Sequence, residues 1–287
     1  MDRNDYDMEG LDIAWCPGCG NFSILKIMKN AFAELDIPLE RIAYSSGIGQ
    51  AAKFPQYIKC NYFNGLHGRS LPVATAIKAV NPDLTVIAES GDGCNYGEGG
   101  NHFIHTIRRN PGITHIVHDN MIYGLTKGQA SPTTMLGVKT PVQVDGVILE
   151  PFNPLAVAIA LNASFVARAY AGDQQQAVKI VKRAIQHDGY ALVDMLQPCP
   201  SFNKVNTYQW YKENTYYLGD DHDEKDREKA MKIALNTEKL ALGVIYTNLS
   251  RQPFEKNLPV YKTSEKPIVS RGFHPKEALQ ELIDSYR

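Results

Sequence analysis

Apolar positions along the first 200 residues follow two spacings that alternate. Between Ser23 and Leu35 they recur every three to four residues, as on one face of an α-helix. Between Ile42 and Ser46 they form a short run that is typical of a buried strand. The same spacings predict helices after Arg69 and over 99–109, 155–162 and 174–187, and strands from 84, from 113, and over 165–170 and 190–195.

Strands and helices therefore alternate, which predicts the α/β class and a doubly wound parallel sheet. A long loop rich in glycine, threonine and proline interrupts the pattern at 124–154, and such loops are usually functional. From about Asn206 the pattern fades, and a run of charged residues follows at 220–229. We expect residues 1–205 to form the domain and residues 206–287 to form a C-terminal extension that packs on it or on a partner subunit.

Composition narrows the class of protein. Of the 287 residues, 44% are hydrophobic and 21% are charged, as in ordinary globular proteins. The formal net charge of −1 provides no basic surface for a nucleic acid or an anionic membrane. No apolar stretch approaches the roughly 18 residues of a membrane span, and the polar N-terminus is unlike a secretory signal. We expect a cytoplasmic protein that binds neither nucleic acid nor membrane.

Candidate chemistry follows two of the predicted strands directly. Gly91, Asp92 and Gly93 come after the strand at 84, and Asn120 comes after the strand at 113. Open α/β sheets bind ligands at the carboxyl ends of their strands. A carboxylate and a carboxamide there suit Mg²⁺, which leaves other positions to phosphate oxygens, and the glycines allow a diphosphate to approach closely. This pattern is similar to the motif that binds thiamine diphosphate (TPP).

The five cysteines indicate metal or redox chemistry rather than disulfides, because their number is odd. Cys16 and Cys19 have the Cys-x-x-Cys spacing of thioredoxin-like, zinc and iron–sulfur sites. The weak strand before this pair argues against a thioredoxin-like site. Metal binding needs distant ligands, for which Cys199, after the last predicted strand, and Cys60 are candidates. Cys94 follows the Gly-Asp-Gly turn and is expected to line the cofactor pocket.

The order of the motifs is characteristic of one known family. The Cys-x-x-Cys pair, Ser46-Gly-Ile-Gly49, Leu66-His-Gly-Arg69, the Gly-Asp-Gly…Asn pattern and Tyr123-Gly-Leu-Thr-Lys-Gly-Gln129 follow one another. Together they resemble the β subunit of the 2-oxoacid:ferredoxin oxidoreductases, over roughly residues 10–215. Gly-Leu-Thr-Lys-Gly-Gln is more similar to the 2-oxoglutarate and broad 2-oxoacid branch than to the pyruvate-specific branch.

The resemblance implies the diphosphate-binding half of a TPP-binding fold and a redox reaction. A 2-oxoacid, with 2-oxoglutarate favoured, would be oxidatively decarboxylated to an acyl-CoA and CO₂, with coenzyme A as co-substrate. Electrons would pass through a [4Fe-4S] cluster to ferredoxin. The resemblance also implies an α subunit that carries the pyrimidine-binding domain and the activating glutamate, in an α₂β₂ assembly. The chain is therefore expected to be inactive alone.

The resemblance further implies which residues bind TPP. Mg²⁺ would bind the side chains of Asp92 and Asn120 and the backbone carbonyl of Ile122, and His67 would reach the reactive end of the cofactor. Residues of four loops would line the cofactor or contact its diphosphate: Ile48, Gly49, Gln50, Ala51, His67, Gly93, Cys94, Gly124 and Leu125.

The resemblance also implies the ligands of the [4Fe-4S] cluster, but one of the four has no direct match in this chain. Cys16, Cys19 and Cys199 match three of the four ligands. The remaining ligand in many relatives is a cysteine directly after Ser-Gly-Ile-Gly, where this chain has Gln50. Cys60 is expected to replace it, because a [4Fe-4S] cluster takes four thiolates. The rival candidate is Cys94.

Two cations are candidates for binding the substrate carboxylate. Arg69 and Lys127 both lie in glycine-bounded loops near the inferred cofactor. His102 and His105 are expected to pack or to lie on the diphosphate side rather than to act in catalysis. His115 and His118 are expected to be core residues that face one side of the strand at 113.

Two other classes of protein stay open. A non-redox TPP-dependent decarboxylase or synthase subunit would keep Asp92 and Asn120 but would not need the cysteines. A zinc-stabilised, non-catalytic binding protein would keep the cysteines but would not need the Mg²⁺ ligands. Bound iron distinguishes the redox enzyme from the first class, and bound TPP distinguishes it from the second.

Overall fold

The structure is a computed structural model that describes residues 1–272 and 275–286. In these residues eight strands form one sheet: β1 (Ile42–Ser46), β2 (Asn61–Asn64), β3 (Thr85–Gly91), β4 (Ile113–Asp119), β5 (Phe165–Tyr170), β6 (Ala191–Leu196), β7 (Thr215–Tyr217) and β8 (Leu240–Thr247). Their order across the sheet is β2-β1-β3-β4-β6-β5-β8-β7. Strands β1 to β6 are parallel, β8 is antiparallel to β5, and β7 is parallel to β8.

Helices cover both faces of the sheet, which confirms the predicted doubly wound α/β fold. The helices of the described residues are α1 (Asn21–Glu34), α2 (Ser70–Val80), α3 (Gly100–Arg109), α4 (Pro154–Ala160), α5 (Gln174–Ile185), α6 (Tyr208–Asn214), α7 (Arg227–Leu235), α8 (Pro259–Lys262) and α9 (Lys276–Asp284). The core on one face includes α1 and α5, and the core on the other includes α2, α3, α4 and α7. None of the helices in 1–272 and 275–286 combines the length and hydropathy that a bilayer crossing requires.

The central strands are buried on both faces, which explains why their sequences are nearly continuous apolar runs. Every residue of β1, β4, β5 and β6 is buried. Successive side chains alternate between the two cores, so Tyr44 packs with α1 and α5, whereas Ala43 packs with α2 and α3. The two cores support the strands from both faces, and the loops of the site leave the carboxyl ends of these strands.

Element boundaries differ from the predicted ones at two places near that edge. Helix α1 begins at Asn21, two residues before the apolar spacing starts at Ser23, and the Asn21 side chain is free for another contact. Between β3 and α3 the chain makes a π-helical turn, Gly93–Glu98, that the spacing of apolar residues did not predict.

The C-terminal extension completes the sheet instead of lying on its surface. Strand β8 pairs with the far edge of β5, and β7 pairs with β8. Glu255 lies at the amino end of β4, where its carboxylate accepts hydrogen bonds from the Gly112 backbone N–H at 3.1 and 3.2 Å. The extension therefore packs on the domain, and the division at residue 205 stays a prediction.

Candidate active site

The loops at the carboxyl ends of β1, β3, β4 and β6 enclose a cavity of about 540 Å³. Strand β2 lies on one side of β1, and β3 and β4 follow on the other, so the cavity lies where the strand order reverses, the usual ligand site of such sheets. The cavity is lined by Lys127 and by all the predicted ligands of the cofactor, of Mg²⁺ and of the cluster except Cys60: Cys16, Cys19, Ile48, Gly49, Gln50, Ala51, His67, Asp92, Gly93, Cys94, Asn120, Ile122, Gly124, Leu125 and Cys199.

Two predicted site residues, Cys60 and Arg69, lie outside the lining. Cys60 directly precedes β2, at the end of that strand that points away from the cavity, and its sulfur lies 3.9 Å from the Pro55 carbonyl oxygen. Burial, and then the charge of Glu89, raises the pKa of the Cys60 thiol to about 12. Arg69 is exposed where α2 begins. The roles of both residues stay predictions.

The Gly-Asp-Gly turn has no space for side chains at its second glycine. A β-carbon on Gly93 would lie 2.1 Å from the Tyr123 ring, so Tyr123 packs directly against the turn. Gly68 has a φ of +67°, and a β-carbon there would lie 2.4 Å from the Gly99 backbone nitrogen. The loop that carries His67 is thereby held against the turn and the backbone that follows it.

Cys94 connects three loops at the cavity. Its sulfur accepts hydrogen bonds from the backbone N–H groups of Ile48 at 3.3 Å and Gly68 at 3.2 Å. The side chain is buried, with 6% of its surface exposed. The cysteine after the Gly-Asp-Gly turn therefore fixes the loop after β1 and the loop before α2 against the predicted diphosphate site.

Asp92 is held by two hydroxyl groups that the sequence analysis did not identify. Ser131 Oγ donates to Asp92 Oδ2 at 2.5 Å, and Thr133 Oγ1 donates to the same oxygen at 2.7 Å. Burial raises the pKa of Asp92 to about 6, although these hydrogen bonds oppose the rise. A cation beside the carboxylate would favour its charged form, so the buried, hydrogen-bonded Asp92 fits a Mg²⁺ ligand.

Asp119 shares the Thr133 hydroxyl with Asp92. Thr133 Oγ1 lies 2.8 Å from Asp119 Oδ1, and a hydroxyl has one proton for two carboxyl groups. Burial, followed by the charges of Asp194 and Asp92, raises the pKa of Asp119 well above its usual range. Asp92 lines the cavity and Asp119 does not, so Asp92 is the carboxyl of this pair that can face a cation there.

Asn120 begins a tight turn after β4. Its Oδ1 accepts a hydrogen bond from the Ile122 backbone N–H at 3.0 Å, and Met121 between them has a φ of +56°. Asn203 Nδ2 donates to the Asn120 carbonyl oxygen at 3.0 Å. The turn places Asn120 and Ile122 together on the cavity, as the predicted Mg²⁺ site requires.

Lys127 lies on the rim of the cavity in an uncommon backbone conformation. Its φ is +80°, and that of Gly128 is +103°. The loop is closed by hydrogen bonds from Tyr123 N to Gln129 O and from Gly128 N to Tyr123 O, both 2.9 Å. Positive φ at a residue other than glycine is uncommon and is found often at binding sites, which supports Lys127 as a substrate-side residue.

Cys16, Cys19 and Cys199 lie on one wall of the cavity because of a glycine. The Cys19 backbone N–H donates to the Cys16 carbonyl oxygen at 3.0 Å, which closes the turn between them. A β-carbon on Gly20 would lie 2.7 Å from Cβ of Gln197. Gly20 thus lets the Cys-x-x-Cys segment pack against the segment that leads to Cys199.

The thiols on this wall affect one another. Burial above all, and then the neighbouring Cys199 and Cys16, raise the pKa of Cys19 to about 11, and a hydrogen bond from the Asn21 backbone N–H opposes the rise. Thiolates this close need a cation to ionise together. Among the described residues, no three or more His, Cys, Asp or Glu side chains are arranged as a metal site, so the cluster stays a prediction.

The two histidines of β4 are core residues, but they face opposite sides of the sheet. The expectation that His115 and His118 face one side is wrong, because an offset of three residues reverses the side on a strand. His115 contacts Phe103, and His118 contacts Phe54 on the other face. His102 and His105 lie on α3, outside the cavity lining.

We expect His115 to destabilise the protein in acid. Burial lowers the pKa of His115 to about 3, from the ordinary value of 6.5. The stability that neutral His115 contributes is complete above pH 6.5 and is lost toward pH 3, at about 1.4 kcal/mol per pH unit. The free energy of unfolding of His115→Gln, measured from pH 7 down to pH 4, should therefore fall less steeply than that of the unchanged protein. Equal slopes would contradict this prediction.

Two family models match the chain. "Thiamine pyrophosphate enzyme, C-terminal TPP binding domain" matches residues 46–195, which run from the end of β1 to β6 and carry the turns of Asp92 and Asn120. The model for the C-terminal part of the pyruvate ferredoxin oxidoreductase β chain matches residues 199–263. The fold is thus that of the C-terminal TPP-binding domain of a TPP enzyme.

Individual relatives define the family more closely. Subunit beta of 2-oxoacid:ferredoxin oxidoreductase 2 from Aeropyrum pernix is 42% identical over 258 residues, which are 86% of this chain and 84% of that protein. The 2-oxoglutarate synthase subunit KorB from Methanocaldococcus jannaschii is 35% identical over 229 residues, which are 77% of this chain and 85% of that protein. A structure of 2-oxoglutarate:ferredoxin oxidoreductase from Magnetococcus marinus has a TM-score of 0.90 at 35% identity, with 98% of this chain and 96% of that chain covered. This chain belongs to the family of 2-oxoacid:ferredoxin oxidoreductase β subunits.

Proposed function

We propose that the enzyme to which this chain contributes oxidatively decarboxylates 2-oxoglutarate in preference to other 2-oxoacids. The products are an acyl-CoA and CO₂, and the electrons pass through a [4Fe-4S] cluster to ferredoxin. The observation that carries this proposal is a single cavity that joins the turns of Asp92 and Asn120 to the thiols of Cys16, Cys19 and Cys199. The related Magnetococcus marinus structure, which has 2-oxoglutarate, coenzyme A and succinyl-CoA bound, supports the substrate and coenzyme A.

The residues at the carboxyl ends of β3 and β4 fit Mg²⁺ and a diphosphate. Asp92, Asn120 and the Ile122 carbonyl would hold the cation, since oxygen ligands are those that Mg²⁺ prefers. When bound, TPP supplies a ring that accepts the electron pair as CO₂ leaves. The chain's own residues bind and orient the diphosphate from loops that Cys94 keeps together: Gly93, Cys94, Gly124 and Leu125.

The substrate side of the cavity carries positive charge. Lys127 lies on the rim and provides a point charge for a carboxylate. His67 lines the same cavity and would face the reactive end of the cofactor. Arg69 lies outside the lining. It would contact the substrate only if the substrate extends beyond the rim or a bound partner extends the site to Arg69.

Cys16, Cys19 and Cys199 line the same cavity and can supply three of the thiolates by which an iron–sulfur cluster is held. Their position on one wall of the TPP cavity is what a one-electron acceptor for the reaction requires. A non-redox TPP enzyme has no use for these thiols, and the family to which the chain belongs does not favour that alternative.

Serine variants of Cys60 and Cys94 test the fourth ligand. We expect Cys60→Ser to lower the iron content, as the sequence predicts, although Cys94 lines the cavity and Cys60 does not. Iron loss in Cys94→Ser alone would assign Cys94 instead. Iron per chain should be measured after anaerobic purification. Iron loss in Cys60→Ser alone would assign Cys60, as the sequence predicted, and would require its loop to move toward the cavity.

The carboxylates that line the cavity support the proposal that this chain needs a partner subunit. In residues 1–272 and 275–286, the one glutamate on the lining is Glu98, which lies beside the diphosphate turn and accepts a hydrogen bond from the Tyr123 hydroxyl at 3.3 Å. Its position beside that turn supports a role on the proposed diphosphate side. We propose that an α subunit supplies the activating glutamate, in an α₂β₂ assembly with ferredoxin as electron acceptor.

Anaerobic co-purification with the α subunit tests the proposed function. Iron, sulfide, TPP and Mg²⁺ should be measured, together with EPR of the reduced sample and acyl-CoA formation from 2-oxoglutarate and pyruvate. We expect one TPP and one cluster per β chain. TPP without iron would contradict the redox proposal, and full activity of the β chain alone would contradict the dependence on a partner.

A further inference from the structure

A buried chain of three polar side chains leads from the cavity into the sheet. Asn21, the first residue of α1, lines the cavity. His118 Nδ1 lies 2.8 Å from Asn21 Oδ1, and His118 Nε2 lies 2.6 Å from Glu89 Oε1. Their exposures are 1% for Asn21 and 0% for His118 and Glu89. Because an amide oxygen only accepts, His118 Nδ1 carries a proton and donates it to Asn21.

The three residues connect the two halves of the site. Glu89 is on β3, three residues before Asp92, and His118 is on β4, two residues before Asn120. Asn21 follows Cys19 by two residues. The two strands that deliver the proposed Mg²⁺ ligands therefore also hold the first turn of α1, next to the Cys-x-x-Cys segment. Burying a glutamate and a histidine costs free energy unless they are paired. Here His118 and Glu89 pair with each other.

Asn21 also contacts Cys19 through its backbone. The Asn21 N–H hydrogen-bonds to the Cys19 sulfur. Such hydrogen bonds to ligand sulfurs help to set the reduction potential of iron–sulfur clusters. Since a hydrogen bond stabilises the more negative, reduced cluster, its loss makes the cluster harder to reduce. The side chain of Asn21 fixes the position of the same amide group.

We propose that Asn21, held in place by His118 and Glu89, is a positioning residue that sets the reduction potential of the cluster at Cys19. The inference rests on the proposed function, because it requires that the cluster binds. It assigns a role to a polar chain that is separate from the residues proposed to bind the substrate and the diphosphate. The chain keeps the electron acceptor and the TPP turn in a fixed relation, because both are anchored to β3 and β4.

The test is a redox titration followed by EPR on the assembled enzyme. Asn21→Ala and His118→Gln should each shift the cluster potential to more negative values, by about 59 mV for a tenfold change in a one-electron equilibrium. The double variant should shift it no further than the single ones, since both act through one chain of contacts. His115→Gln is the matched control, because His115 is equally buried on the same strand but faces the other side of the sheet.

The experiment distinguishes a failure of this inference from a failure of the proposed function. If the unchanged enzyme binds no iron, the proposed function fails. If it binds a cluster whose potential is the same in Asn21→Ala, His118→Gln and His115→Gln, this inference alone is overturned. For a variant that purifies without iron, the cluster is reconstituted anaerobically and its release to a chelator is timed. Faster release than from His115→Gln supports the inference, and equal release overturns it.

Discussion

Replacing Asp92 by asparagine is expected to abolish 2-oxoacid oxidation by the assembled enzyme. We expect Mg²⁺-dependent TPP binding to weaken by more than about 100-fold, because even residues that only support a metal ligand typically contribute 10- to 100-fold. Asparagine keeps an oxygen for the hydroxyls of Ser131 and Thr133 but removes the charge that faces the cavity. Titration calorimetry of TPP with Mg²⁺ present measures the loss directly.

The same substitution should not unfold the protein. The pKa of Asp92, about 6 in place of 3.8, means that its charge opposes folding near neutral pH in the absence of a cation. The difference corresponds to about 3 kcal/mol, which asparagine would relieve. The free energy of unfolding without cofactors should therefore be equal or higher in Asp92→Asn. A large loss of stability would mean that Asp92 is structural.

Asp119→Asn is the matched control for Asp92→Asn. Both carboxyl groups contact the Thr133 hydroxyl, and both are buried. Since Asp119 does not line the cavity whereas Asp92 does, TPP binding by Asp119→Asn should stay close to that of the unchanged enzyme. Equal losses in the two variants would show that the contact to Thr133 matters and the charge of Asp92 does not.

Burial determined which strands could be predicted from the sequence. Strands β1 and β5 have the predicted bounds, because residues buried on both faces leave a continuous apolar run. Strand β2 has four exposed residues and leaves no such signal. Strand β8, Leu240–Thr247, does have an apolar sequence, but the charged run before it obscured the pattern. The predictable part of the fold is therefore the part that is covered by helices on both sides.

The candidate site could be predicted where ligands directly follow strands. Asp92 and Asn120 met this condition, and both line the cavity. Ser131 and Thr133 contact Asp92 from 39 and 41 residues away, a relation that no local spacing reveals. Cys60 shows the converse: it is close in sequence to Gln50, but the next residue, Asn61, pairs with Ala43 near the start of β1. Gln50 therefore lies beyond the carboxyl end of β1, whereas Cys60 lies at the amino end of the neighbouring strand β2. The role of Cys60 stays a prediction.

Replacing Cys199 by serine is expected to remove the iron and to leave TPP in place. Cys199 lies on the wall of the cavity formed by the segment after β6, whereas the turns of Asp92 and Asn120 follow β3 and β4. A hydroxyl does not replace a thiolate as a cluster ligand, since clusters are held by thiolates. Ferredoxin reduction and acyl-CoA formation should be lost, while CO₂ release from the 2-oxoacid without oxidation should persist.

Ser201→Ala provides the control for Cys199→Ser, because Ser201 lines the same wall without a thiol. It should retain iron, TPP and ferredoxin reduction. If Cys199→Ser kept its iron, the thiols of the cavity would not be ligands, and the chain would contain a TPP site whose cysteines serve packing alone. If it lost both iron and TPP, the two halves of the cavity would depend on each other for folding. Loss of iron alone shows that decarboxylation and electron transfer occupy separate walls of one cavity.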